Sequence, residues 1–132
     1  MLEVLEIEST KRNDLIDITA DVIAAVSRAR IENGICCLYV PHATGGVTIN
    51  ENADPTVKSD IIKKMENMVP RNEGYTHPEG NSDSHVKSSM IGTTITIIIE
   101  DGSLVLGTWQ GVYFCEFDGP RSRKIYIKTI EG

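Results

Sequence analysis

Near the start of the chain Leu5 and Ile7 alternate with Glu6 and Glu8, the period-two pattern of a strand that turns one face to a core. From Asn13 to Arg30 the apolar positions Leu15, Ile18, Val22, Ala25, Val26 and Ala29 recur at helical spacing. This segment is predicted as one helix, with Asn13 or Asp14 capping its first turn and Asn33-Gly34 ending it. Ile35 to Val40 is an unbroken apolar run stopped by Pro41, which predicts a central strand buried on both faces. A short alternation over Val47-Thr48-Ile49-Asn50 predicts another strand. Asp54 and Pro55 suit the cap and first position of a helix whose stripe is Val57, Ile61, Ile62, Met65 and Met68.

Residues 70–84 carry almost no apolar side chains and predict a long loop, of the kind often kept for function, followed by a short helical turn from Ser84 to Met90. The last third is strand-rich. Thr93 to Glu100 and Ser103 to Leu106 flank Asp101-Gly102, a pair that supplies the positive φ angles of a tight hairpin. Strands follow over Val112 to Asp118 and around Ile125-Tyr126-Ile127, joined by a turn at Gly119-Pro120. Thr93 to Ile99 is so apolar that one small chain cannot cover both its faces, and self-association would bury it.

The 132 residues suit one domain, 1–132, and no repeat or linker divides them. The net charge of −6, from 13 basic and 19 acidic side chains, disfavours generic attraction to nucleic acid or an anionic membrane, so either partner would need a local basic patch. The opening MLEVLEIEST is unlike a signal peptide, and no apolar stretch approaches the roughly 18 residues of a membrane span. Cys36, Cys37 and Cys115 read as reduced thiols, which predicts a cytoplasmic protein, and the charge and the lack of an apolar span predict neither nucleic-acid nor membrane partners.

Three polar constellations carry candidate chemistry. His42, His77 and His85 all lie in or beside irregular segments and none sits on an apolar face; three imidazoles with an open position would make a catalytic metal site, although their spacing is no zinc-finger signature. Asn50-Glu51-Asn52-Ala53-Asp54 gathers acids and amides at a strand-to-helix junction, where Asp54 can simply cap the helix while Glu51 can orient a histidine or act as a general base. Glu116 and Asp118 face Arg121 and Arg123 across a turn, either as a cross-strand ion-pair ladder or as an acid-held arginine offered to a phosphate or carboxylate. Trp109-Gln110, between glycines, reads as a core tryptophan or as a point of close backbone approach.

Pro41-His42-Ala43-Thr44, Asn50 through Val57, Ser84 through Gly92 and Gly107-Thr108-Trp109-Gln110-Gly111, in this order across nearly the whole chain, resemble the YjbQ-like family. The resemblance implies an α+β fold, a single domain with a substantial sheet or sandwich and two main helices, assembled as a homotrimer with polar pockets near subunit boundaries. It also implies a secondary thiamine-phosphate synthase activity, joining hydroxymethylpyrimidine diphosphate to thiazole phosphate and releasing diphosphate. By position His42, His77 and His85 would bind a divalent metal, zinc first and manganese or magnesium as alternatives, with Asp83 supplying an oxygen where some relatives carry a histidine. Glu51, Glu116 and Arg121 are the catalytic candidates, and Asn50, Asn81, Gln110 and Arg123 the substrate contacts. The leading expectation is thus a metal-assisted enzyme on a small phosphorylated metabolite. The alternatives are a trimeric module that binds metal or a small anion without turnover, and a metal-dependent hydrolase.

Overall fold

The computed structural model describes residues 1–132, and its two antiparallel sheets explain most of the hydrophobic pattern. The elements in chain order are β1 (Leu2–Glu8), β2 (Asp14–Asp17), α1 (Thr19–Ala29), β3 (Gly34–Tyr39), β4 (Gly45–Glu51), α2 (Pro55–Met68), α3 (Ser82–Ile91), β5 (Thr94–Glu100), β6 (Ser103–Leu104), β7 (Gln110–Glu116) and β8 (Ser122–Glu131). The larger sheet has the order β1-β8-β3-β5-β6 and the smaller the order β2-β7-β4. The fold is α+β, with three helices where two main ones and a turn were expected.

Alternation assigns the layers. Ile7 of β1, Cys36 and Leu38 of β3, Ile97 and Ile99 of β5, and Ile125 and Ile127 of β8 point from the large sheet into a core shared with Val112 and Phe114 of β7 and Val47 of β4. On the other face of β7, Tyr113 and Cys115 join Leu15 and Phe117 in a second cluster, against which Ile61, Ile62 and Met65 of α2 and Ile91 at the end of α3 pack. The order is therefore large sheet, small sheet, then α2 and α3. Helix α1 packs against β6, β7 and β8 through Val22, Ala25 and Val26.

Two expectations are corrected by this layering. Residues 14–17 form a strand rather than the start of a helix, because they pair with β7 from Asp14↔Glu116 to Asp17↔Tyr113 and the sheet's hydrogen bonds outweigh a weak local preference. The helix begins instead at Thr19, whose N–H and hydroxyl donate to Asp17 at 2.9 and 2.5 Å, and it ends at Arg30 in the left-handed region rather than at Asn33-Gly34. Strand β3 is central, between β8 and β5, but only one of its faces is covered: Cys36 and Leu38 are buried while Ile35 and Tyr39 are exposed. The strand buried on both faces is β7, the middle strand of the inner sheet.

Two local expectations, a helix cap and a hairpin turn, hold. Asp54 caps α2 by accepting from the Thr56 N–H at 2.9 Å, with Pro55 in the first turn. Asp101 and Gly102 take φ angles of 50° and 77° in the β5–β6 hairpin. No helix is long and apolar enough to cross a membrane.

The outer face of the large sheet has nothing packed on it within the chain. Register aligns Ile98, Ile35 and Ile130 across three strands, and beside them Tyr39, Tyr126 and Val4. Tyr39 and Tyr126 stack at 6.5 Å, while Ile98 is 58% and Val4 50% exposed.

Candidate polar site at the α3 end of the sandwich

The alternation that builds the core also puts two charges into it. Val112, Phe114 and Glu116 of β7 face the large sheet, and Arg123, Ile125 and Ile127 of β8 face back. Glu116 and Arg123 therefore meet between the sheets, with side chains 0% and 4% exposed. Arg123 Nε donates to Glu116 Oε1 at 2.9 Å and its Nη2 to Oε2, while Nη2 also reaches Thr44 Oγ1 at 2.8 Å. Ser9 Oγ and the Asp118 N–H complete the carboxylate's partners at 2.6 and 3.0 Å. Burial raises this carboxyl's pKa, but the guanidinium, Ser9 and the Asp118 N–H outweigh it and hold it below its ordinary value. Glu116 is thus a buried anion with both oxygens engaged, and Arg123 is its counter-ion. The pair bridges the two sheets, which corrects the expected hairpin ladder, since β7 and β8 lie in different sheets.

The network continues outward. Asp118 accepts from Arg121 Nη2 at 2.9 Å and from Asn81 Nδ2 at 2.8 Å, so Asn81 is drawn inward, away from solvent, and Arg121 retains only the free side of its guanidinium. Asn81 Oδ1 is buried without a partner. Ser84 donates to the Phe117 carbonyl at 2.5 Å, locking α3 to the end of the small sheet. Gly119 is obligatory here, because a β-carbon at that position would lie 2.1 Å from the Lys11 carbonyl oxygen.

The first turn of α3 holds a second buried charge group. Arg12 grips Asp83 with two parallel bonds, Nη1–Oδ2 at 2.9 Å and Nη2–Oδ1 at 3.0 Å, and Lys87 Nζ donates to Oδ2 at 2.9 Å. Burial alone would raise the Asp83 carboxyl, yet Arg12 and Lys87 hold it at about 2. Both Asp83 oxygens are thus engaged by cations of the chain itself.

The histidines divide. The rings of His77 and His85 meet edge to face with centroids 5.5 Å apart. His42 lies elsewhere in the hydrogen-bond network, its Nε2 accepting the Lys124 N–H at 2.9 Å. Burial first, and then the nearby Arg123, lower the His42 pKa, which favours the neutral ring. A neutral imidazole has one in-plane lone pair, and here it is used, so His42 does not serve as a ligand in this geometry. No three His, Cys, Asp or Glu side chains of the chain come together in a way that could hold a metal.

Asn50, Glu51 and Gln110 gather at the far end of the small sheet, where Glu51 pairs with Gln110 and Asn50 with Gly111. Gln110 Oε1 accepts the Gly107 N–H at 2.7 Å and Asn50 Oδ1 the Glu51 N–H at 2.7 Å, so both amides brace their own turns. Trp109 is 63% exposed and is not a core residue. Because Gly45 pairs with Glu116 and Glu51 with Gln110, Glu51 and Glu116 stand at opposite ends of one strand pair, roughly 20 Å apart at a strand's rise. Within one chain Glu51 and the Glu116–Arg121 region do not form one site.

Sequence reasoning missed Ser9, Lys11, Arg12, Thr44, Arg71 and Lys87. The Asp83–Lys87 spacing of four on a helix was a readable signal for one of them. Arg71 borders two surface clefts: one of about 320 Å³ with Tyr75, His77 and Ser82, and one of about 420 Å³ with Lys11, Arg12 and Lys87.

The fold and this site together define an antiparallel two-sheet α+β domain with a polar, charge-laden end built on α3 and the β7–β8 turn. The chain belongs to the UPF0047 protein YjbQ-like family, whose model matches residues 3–132. It is 54% identical over 130 residues to a UPF0047 protein of Methanocaldococcus jannaschii, covering 98% of this chain and 94% of that one. It is 50% identical over 131 residues to the UPF0047 protein YugU of Bacillus subtilis, covering 98% and 99%. The crystal structure of a YjbQ/UPF0047-family protein from Clostridium acetobutylicum superposes with a TM-score of 0.95 at 45% identity, covering 97% of this chain and 99% of that chain.

Proposed function

We propose that the protein is a cytoplasmic enzyme acting on a small phosphorylated metabolite, with thiamine-phosphate synthase as the named activity to test. The observation that carries this reading is the cleft of about 320 Å³ formed by residues 71–82, where Arg71, Tyr75, His77 and Ser82 line one concavity beside His85. A guanidinium is the natural partner for a departing diphosphate, and an imidazole can hand on a proton at neutral pH. Tyr75 donates to the Pro70 carbonyl at 2.7 Å, which ties the loop back on itself at the edge of the cleft. Arg121, the anion contact favoured from the sequence, is less free for this role, because both its Nε and Nη2 donate to Asp118. The cytoplasmic assignment is supported by three free cysteines, the state favoured in a reducing compartment.

Purified protein supplied with hydroxymethylpyrimidine diphosphate and thiazole phosphate should release thiamine phosphate, and both Arg71→Ala and His85→Ala should lower the rate at least tenfold. Saturable ligand binding with no product would instead identify a non-catalytic anion-binding module. A phosphoester panel run in parallel tests the hydrolase alternative.

A divalent metal is a second reading, supported only by the His77–His85 contact. The residues do not fit the expected shell: His42 and Asp83 are otherwise engaged, and two imidazoles alone fall short of the three protein ligands of a catalytic zinc site. Any metal there would be zinc, which imidazole suits, rather than manganese or magnesium. Wild type offered zinc at neutral pH should then bind about one ion per three-ligand site completed from outside the chain. Metal retained in both His77→Ala and His85→Ala, or never bound, removes the reading.

The homotrimer belongs to the same proposal. Its support is the uncovered sheet face of Val4, Ile35, Tyr39, Tyr126, Ile98 and Ile130, an area of the kind that monomers rarely leave in water. Light scattering should give three times the chain mass for wild type and a smaller species for Ile98→Glu, which places a charge at the centre of that face. A wild-type monomer at micromolar concentration would defeat this.

A further inference from the structure

We infer that the cleft between the β1–β2 connection, the C-terminal part of α2 and the first turns of α3 is a phosphate site, with the ammonium of Lys87 at its floor. Four cations line it, Lys11, Arg12, Arg71 and Lys87, against two anions, Glu66 and Asp83. The local sum is +2 in a chain whose net charge is −6. Such a reversal of sign concentrates field in a concave, polar-walled space.

The floor makes this more than a basic patch. Lys87 has a side chain only 2% exposed, and the one hydrogen bond its Nζ makes is to Asp83. An ammonium has three donors, so two are unmatched at a buried position. The group Arg12, Asp83 and Lys87 carries two positive charges and one negative, a surplus of one, with Lys87 and Asp83 buried and Arg12 partly open to the cleft. Buried charge is costly unless paired, and Asp83, the one anion hydrogen-bonded to Lys87, is already gripped bidentately by Arg12. An incoming anion would supply both the missing acceptor and the missing charge.

Geometry favours phosphate over carboxylate. The free donors are two ammoniums, Lys11 and Lys87, and one guanidinium, Arg71, each on a different segment of the chain. A planar carboxylate is matched by a single fork; of the two guanidiniums here Arg12 is taken by Asp83, and Arg71 alone would leave both ammoniums unused. A tetrahedral phosphoryl group presents oxygens in several directions and suits donors from three walls. Arg71 also borders the neighbouring cleft of Tyr75 and His77, so a phosphate held here lies beside the residues proposed to act on it. This inference rests on the phosphorylated-metabolite reading only for the identity of the natural ligand; the site is tested without it.

The probes are inorganic phosphate and diphosphate, titrated calorimetrically at constant ionic strength, with acetate as the planar control. Wild type should bind diphosphate more tightly than phosphate and acetate least. Arg71→Ala and Lys11→Ala, both on exposed side chains, should each weaken diphosphate about tenfold, and Arg71→Glu about a hundredfold. Glu66→Gln should tighten it, and Arg30→Ala, at a distant surface, should leave it unchanged. Lys87→Met should abolish binding in a protein whose circular dichroism shows it folded. No saturable binding by about 10 mM, or affinities equal in wild type and Arg71→Glu, overturns the inference. Diphosphate binding without turnover leaves this site standing and removes the enzyme, whereas turnover in a protein whose diphosphate affinity is unchanged by Lys11→Ala and Lys87→Met leaves the enzyme and removes this site.

Discussion

Arg123→Met will lower the unfolding free energy by about 3–5 kcal/mol, the cost of leaving one partner of a buried pair uncompensated. Glu116 is fully buried between the sheets, and without Arg123 it keeps only Ser9 and the Asp118 N–H as partners. The double variant Glu116→Leu, Arg123→Met should recover most of the loss, because both positions continue inner faces already occupied by Phe114 and Ile125 and an apolar pair needs no desolvation of charge. The pH dependence separates this from a simple loss of packing. In wild type Glu116 is held below its ordinary value of 4.5, so its contribution is complete above that pH and is lost as pH falls through the lower folded value. In Arg123→Met burial prevails and the carboxyl rises, so the deficit relative to wild type should shrink as the medium is acidified. Urea denaturation across pH measures both. A single-variant loss under about 1 kcal/mol, an ordinary surface value, would show that the pair is not buried in solution.

How much of this was legible in the sequence depends on whether local pattern or distant partners decided it. The Asp54-Pro55 start of α2 and the Asp101-Gly102 hairpin were readable because a cap and a two-residue turn are set by the residues that make them. The strand at 14–17 was hidden, because nothing within that segment announces that β7 offers it a free edge. The run Ile35 to Val40 and the segment Val112 to Phe117 are both apolar, and only the layering says that the second is covered on both faces and the first on one.

The polar residues follow the same division. The sequence brought Glu116, Asp118, Arg121 and Arg123 together correctly, because a short turn joins them, but could not say that Glu116 and Arg123 point into the core while Asp118 and Arg121 face its rim. His77 and His85 were readable as neighbours across one loop; His42 was grouped with them by residue type, and the fold gave its lone pair to Lys124. Arg12 and Lys87 were passed over because a lone basic residue in an acidic chain reads as solvated surface. Only the burial of Asp83 turns them into the centre of a charged site.

That centre gives the second large effect, an asymmetry between two variants of one salt bridge. Asp83→Asn should cost about 3–5 kcal/mol, because it leaves the buried Lys87 ammonium and the half-buried Arg12 guanidinium facing each other without the anion between them. Lys87→Met should cost much less. It removes the surplus positive charge, keeps the aliphatic bulk, and leaves Asp83 held by both bonds from Arg12. The pH profile follows from the sign of the shift. Asp83 falls from an ordinary 3.8 to about 2 in the folded chain, so the stability it contributes is present above 3.8 and is lost as pH falls toward 2. Wild type should therefore weaken through that window more steeply than Asp83→Asn, which has no proton to take up there, and the two curves should converge as the acid limit is approached. Denaturant midpoints of the three proteins across acid pH give the comparison. Equal losses for Asp83→Asn and Lys87→Met, or parallel acid profiles for wild type and Asp83→Asn, would mean that the buried surplus of charge at α3 does not exist in solution.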